Sequence, residues 1–158
     1  MPIGNLGSEL RRLVIRPTLD YLHIDEAGAE NILAALALLS GNFRGGGDGL
    51  GLYGITPQQH RRLWDGYLAF HPDLASEIRG LASQRCFLQD PDRELVTNLA
   101  YATAVAWLLV STSGLPLPAP GDSEGLVQLW RQLLGAARTA PSHHQVVDWL
   151  RQQLSHAA

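Results

Sequence analysis

At 158 residues, with 46% hydrophobic and 17% charged residues, the chain has the size and composition of one globular domain that buries a core without covalent staples. Its net charge of −3 excludes an overall field that would gather nucleic acid or an anionic membrane, and all twelve basic residues are Arg. A single cysteine, Cys86, excludes an internal disulfide and reads as a small packed thiol.

The opening residues, MPIGNLGSELRR, lack the apolar run of a signal peptide, so synthesis in the cytoplasm is expected, with later incorporation into a larger particle left open. The first predicted helix runs from Ser8 to about Tyr21, with Pro17 kinking or restarting it. A second begins near Asp25 and continues through Ile32, Leu33, Leu36 and Leu39 to Gly41; apolar on several faces, it is the expected buried central helix. Seven glycines follow between Gly41 and Ile55, a composition that means either a flexible loop or backbone in close approach to something else. At most a trace of β-structure is expected there, around residues 50–55.

Thr56-Pro57-Gln58-Gln59 predicts a capped helix start, with His60, Leu63, Trp64, Tyr67 and Leu68 on one face. His71-Pro72 opens another helix toward Cys86. Asp90-Pro91 repeats the cap-plus-proline device and opens the longest predicted helix, to about Ser111. Its apolar stretch, Leu99 to Val110, is too short to span a bilayer, and no membrane insertion is expected. Leu115 to Gly121 is proline-rich and predicted extended. Asp122 or Ser123 caps a helix that turns Leu126, Leu129, Trp130 and Leu133 inward, and a capping box from Ser142 to Gln145 starts the last one. The expectation is therefore a single all-α domain, residues 1–158, of about six helices.

Familiar catalytic patterns are missing. No Gly-Lys-Ser/Thr follows the glycines of a nucleotide loop, and no Gly-x-Ser-x-Gly elbow marks a nucleophile. The six histidines form no His-Glu-x-x-His pair, so no metal and no cofactor is expected; His143-His144 reads as a solvated pair in the first turn of the last helix. Trp64, Tyr67, Trp107, Trp130 and Trp149 sit at helical spacing among aliphatic residues, the pattern of core packing.

The segment Gly51-Leu52-Tyr53-Gly54-Ile55-Thr56-Pro57, preceded by Leu39-Ser40 and a Gly-rich loop, resembles the Glu-Ser, loop, Gly-Leu-Met/Tyr-Gln-Ile-x-Pro order of lytic transglycosylases and related lysozyme-like enzymes. Further stretches resemble a family of small phage transglycosylase-like proteins. They are Ile15 to Leu19 (Ile-Arg-Pro-Thr-Leu), the helix of Pro57, His60 and Trp64, Asn98 to Ala104 (Asn-Leu-Ala-Tyr-Ala-Thr-Ala), and Leu117 to Trp130. The likeness covers nearly the whole chain and implies a lysozyme-like helical fold. It also implies a cleft bordered by Ser40, Tyr53 and Gly54, with Asn98 and Tyr101 facing it from the longest helix. For Asn98, an equal alternative is that it satisfies backbone groups of the Gly-rich loop.

Two departures decide what the resemblance implies for chemistry. The glutamate that protonates the glycosidic oxygen in such enzymes falls at Leu39, and the cleft glutamine falls at Gly54. Asp48 is the nearest substitute acid, whereas Glu30 stands nine residues before Leu39, about 13 Å along a helix. The expectation is a non-catalytic, degenerate lysozyme-like protein acting in binding or assembly, such as a virion or tail component. Its expected partners are other phage or structural proteins, or peptidoglycan glycan strands, and not nucleic acid. The alternatives are an active muramidase or lytic transglycosylase with a displaced acid, and an unrelated helical interaction module.

Overall fold

The computed structural model describes residues 3–44, 47–134 and 141–156. Among them the fold is all-α, and the only β feature is one antiparallel bridge between Leu50 and Ile55.

Helix α1 (Ile3–Leu10) passes through a widened π turn (Arg11–Ile15) into α2 (Arg16–Tyr21). Leu10, Ile15 and Arg16 all keep right-handed helical backbone, and the α-helix restarts after the π turn with Pro17 in the first turn of α2. The π turn directly upstream is where the register changes, as expected for a residue that lacks an N–H and crowds the preceding turn. Helix α3 (Ala29–Phe43) starts later and ends later than its pattern predicts. Gly28, at φ +86°, turns the chain into it, and the Ala29 amide donates to the Glu26 carbonyl, which leaves Asp25 outside the helix. Arg16 makes a two-pronged pair with Glu30 at 2.9 and 3.2 Å, fastening α2 to the first turn of α3. Ile32, Leu33, Leu36 and Leu39 are all buried, so α3 is the central helix its sequence predicts.

Helix α4 (Pro57–Gly66) has the predicted capping box: the Gln59 amide donates to Thr56 Oγ1, and the Thr56 amide donates to Gln59 Oε1. A 3₁₀ turn (Leu68–Phe70) leads to α5 (Pro72–Leu81), and Ser83 caps the short α6 (Gln84–Gln89), which carries the half-buried Cys86.

The predicted long helix from Pro91 is broken. A 3₁₀ turn (Pro91–Arg93), which Asp90 does not cap through its side chain, and α7 (Glu94–Thr97) lie at 107° to α8 (Leu99–Thr112). Asn98 makes the corner with extended backbone (φ −122°, ψ 97°), and its Oδ1 accepts from the Tyr101 amide to cap α8. Helix α8 is nearly all buried and crosses α3 through the middle of the core. No single helix among the described residues is long and apolar enough to cross a membrane.

Residues 114–119 are in neither helix nor strand, after which Asp122 caps α9 (Ser123–Leu134) by accepting from the Gly125 amide. The Ser142–Gln145 box caps α10 (His143–His156), which rests on α9 and α3, with Phe43 and Trp149 edge to face at 4.8 Å. Buried side chains from Ile15 to Leu150 form one continuous apolar cluster.

Candidate functional site

The end of α3 is closed. Leu39 is fully buried among core residues, and the Ser40 hydroxyl donates to the Tyr53 carbonyl at 3.0 Å while accepting from Trp130 Nε1 at 3.0 Å. Tyr53 is fully buried, its hydroxyl 2.9 Å from Thr103 Oγ1 on α8. Burial pushes the Tyr53 phenol well above its ordinary range, and the Thr103 hydrogen bond offsets this only in part. Ser40 and Tyr53 are thus interior residues rather than walls of an open cleft: each polar atom is already matched inside the protein.

The Gly-rich segment is close-packed from Gly49 onward. A Cβ on Gly51, at φ +70°, would stand 1.9 Å from the Leu95 carbonyl oxygen, and one on Gly49 would stand 2.5 Å from the Gly54 oxygen. Gly54, at φ +66°, has the Arg44 side chain against it, and Arg44 Nη1 donates to the Gly51 carbonyl at 2.7 Å. Gly49, Gly51 and Gly54 serve close approach rather than slack, whereas Gly47 is exposed with open space around it. Gly45 and Gly46 lie outside the described residues. Asp48 is exposed in a bend, and Glu30 is engaged with Arg16.

The densest polar chemistry lies where α4, α7 and α8 meet. Tyr101 is fully buried and its hydroxyl receives Trp64 Nε1–H at 2.9 Å. The same oxygen is 2.6 Å from His60 Nε2, and His60 Nδ1 is 2.8 Å from Asp92 Oδ1. Proton counting fixes the directions. Among the described residues the Tyr101 O–H has one acceptor, His60 Nε2, so in the neutral imidazole the proton sits on Nδ1 and is donated to Asp92. Burial raises the Tyr101 phenol far above its ordinary value, with the Trp64 hydrogen bond opposing the rise.

Below this chain, Glu94 is 1% exposed, accepting at Oε1 from the Ser83 amide (3.1 Å) and at Oε2 from Asn98 Nδ2 (2.9 Å). Asn98 Nδ2 also donates to the Leu81 carbonyl at 2.8 Å. Asn98 therefore satisfies backbone of α5 and α8, not of the Gly-rich loop, and Tyr101 faces α4 rather than a cleft.

An Asp–His–hydroxyl line is the geometry of a general-base relay. Here its outer end, Asp92, is 31% exposed, while His60 and Tyr101 are sealed, so no substrate atom reaches the hydroxyl. The line joins helices instead. Asp92 and Glu94 carried no signal in the sequence beyond a helix start, and His60 read as one more residue of a packed face. A surface groove of about 540 Å³ between α5 and α6 is lined by Ala75, Ser76, Arg79, Gly80, Gln84 and Leu88, with no carboxylate among them. Among the described residues no group of three or more His, Cys, Asp or Glu side chains is placed to hold a metal ion. His143 pairs with Glu124 at 2.6 Å and His144 with Asp148 at 3.3 Å, both at the surface.

Trp107 and Trp130 are buried and Trp64, Tyr67 and Trp149 half-buried in the core, as their spacing predicts. Comparison with protein-family models, with curated proteins and with solved structures finds no match to this chain.

Proposed function

We propose that the chain is a lysozyme-like scaffold that does not cleave glycan and acts through binding or assembly. One observation carries this reading: the position that the resemblance assigns to the catalytic acid is Leu39, with no exposed surface, beside a serine and a tyrosine whose polar atoms are committed to the core. Glycosidic cleavage needs a carboxyl group within reach of the leaving oxygen and a second group facing the sugar ring. Glu94, the buried carboxylate among the described residues, is 1% exposed and held by the Ser83 amide and Asn98. Exposed Asp48 has no described side chain bonded to it that would hold it in place.

The test is incubation of the folded protein with purified peptidoglycan and mass spectrometry of the soluble fraction. No muropeptide release above a protein-free control is expected, with folding verified by circular dichroism on the same sample. Release of anhydro-muramyl products, or of products with new reducing ends, would overturn the reading, and loss of that release in Asp48→Ala would identify a displaced acid.

A further inference from the structure

We propose that residues Leu115 to Pro120 are a docking ligand, a preformed polyproline-type strut that seats in an aromatic-lined groove of a protein partner. The inference stands apart from the question of glycan cleavage.

The covalent chemistry of Leu115-Pro116-Leu117-Pro118-Ala119-Pro120 leaves the backbone little choice. Three residues have φ fixed by the pyrrolidine ring, and each of the other three precedes a proline and is thereby held in extended or polyproline backbone. A polyproline helix has three residues per turn, so residues 115 and 118 share one face, 116 and 119 a second, and 117 and 120 the third. Exposure follows that threefold period. Leu115 and Pro118 are half-buried, while Pro116, Leu117, Ala119 and Pro120 are exposed. Pro118 lies against α9, its Cβ 3.2 Å from where a Cβ on Gly125 would stand. One face of the strut rests on α9, Pro120 of a second face lies against the entrance to α3, 3.7 Å from where a Cβ on Gly28 would stand, and the face of Pro116 and Ala119 points away from the protein.

Both ends are tied down. The Leu115 amide donates to Ser113 Oγ at 3.1 Å, and the Ala119 carbonyl accepts from the Asp122 amide at 3.0 Å. Between them, among the described residues, no hydrogen bond ends on the carbonyls of Leu115, Pro116, Leu117 or Pro118. An apolar extended segment with unused acceptors is the complement of a groove whose Tyr and Trp side chains clasp prolines and donate to ligand carbonyls. Since the segment is already ordered, little conformational freedom is lost on docking. The segment carries no charge, so its recognition rests on shape and on those carbonyls rather than on ion pairing.

Purified SH3, WW and EVH1 domains serve as probes, immobilised for biolayer interferometry against the full chain. At least one class is expected to bind with micromolar Kd, and a Pro116→Ala, Leu117→Ser double variant to bind that class at least about tenfold more weakly, equivalent to about 1.4 kcal/mol. Both positions are exposed, so an unchanged circular dichroism spectrum is expected. Absence of binding by all three classes, or equal binding by the variant, would overturn the proposal. Amide exchange gives a second readout: the Leu117 and Ala119 amides should exchange freely. Protection that grows with protein concentration would mean that a second copy covers the strut, and would overturn the proposal as well.

Discussion

Removing one oxygen from the polar junction of α4 and α8 should cost more than removing its counterpart elsewhere in the core. In Tyr101→Phe, the ring and its packing remain while Trp64 Nε1 and His60 Nε2 both lose their partner. Trp64 is half-buried, so its N–H has water as a substitute and the loss is about 1 kcal/mol, the net worth of an ordinary hydrogen bond. His60 is 2% exposed, so its Nε2 is left without a partner in the interior, a desolvation penalty of about 1–3 kcal/mol. The sum is about 2–4 kcal/mol. Tyr53→Phe strands one group, Thr103 Oγ1, which stands in α8 and can donate to a carbonyl of its own preceding turn; its cost is about 1 kcal/mol. Equilibrium urea unfolding of both variants separates the two. With a slope of about 2–3 kcal/mol per molar, Tyr101→Phe should lower the midpoint by about 1–2 M and Tyr53→Phe by less than about 0.5 M. Equal shifts, or a larger one for Tyr53→Phe, would refute the assignment of Tyr101 as the shared partner of two otherwise unmatched donors and acceptors.

Leu39→Glu, the substitution that restores the acid implied by the resemblance, should cost about 3–6 kcal/mol, since it forfeits a buried leucine and places a carboxyl where there is no exposed surface. Thermal denaturation should show a large loss and muropeptide assays no gain; a variant as stable as the parent would mean that position 39 faces solvent. Stability should also fall at alkaline pH. Tyr53 and Tyr101 have folded-state pKa values raised above the ordinary 10.0, so the unfolded chain releases these protons first and unfolding is favoured as pH climbs past about 10, by about 1.4 kcal/mol per pH unit for each tyrosine. Replacing either tyrosine by phenylalanine should remove its share of that slope in urea titrations between pH 9 and 11; an unchanged slope would count against their burial. Gly51→Ala should destabilise by about 2–5 kcal/mol, through left-handed strain and collision with the Leu95 carbonyl, whereas Gly41→Ala, helical with open space around it, should stabilise by up to about 1 kcal/mol. Calorimetric melting temperatures moving in the same direction for both would refute the close approach at Gly51.

What the sequence alone determined lies within reach of a few residues. The capping boxes at Thr56–Gln59 and Ser142–Gln145, the inward faces of α4 and α9, the buried α3 and the helix-free segment 114–119 all arise from side chains acting on backbone no more than four residues away, or from the fixed φ of proline. The bridge at Leu50 and Ile55 belongs with them, since Gly51 and Gly54, one beside each bridge residue, close its turn at positive φ. Distant partners decided the rest. Residues 91 to about 111 read as one helix, yet the backbone breaks at Asn98 because the same side chain caps α8, holds Glu94 and satisfies the Leu81 carbonyl seventeen positions earlier. That corner is also what buries Glu94, which its local sequence leaves on a helix like any surface acid. The candidate site follows the same division. The order Leu39-Ser40, glycines, Tyr53 was visible in the chain, but whether those residues face solvent depends on Trp130, ninety positions away, whose indole closes on Ser40. Local hydrogen bonds form whatever the remainder of the chain does, whereas burial is a property of every element packed above a residue, and only the tertiary structure holds it.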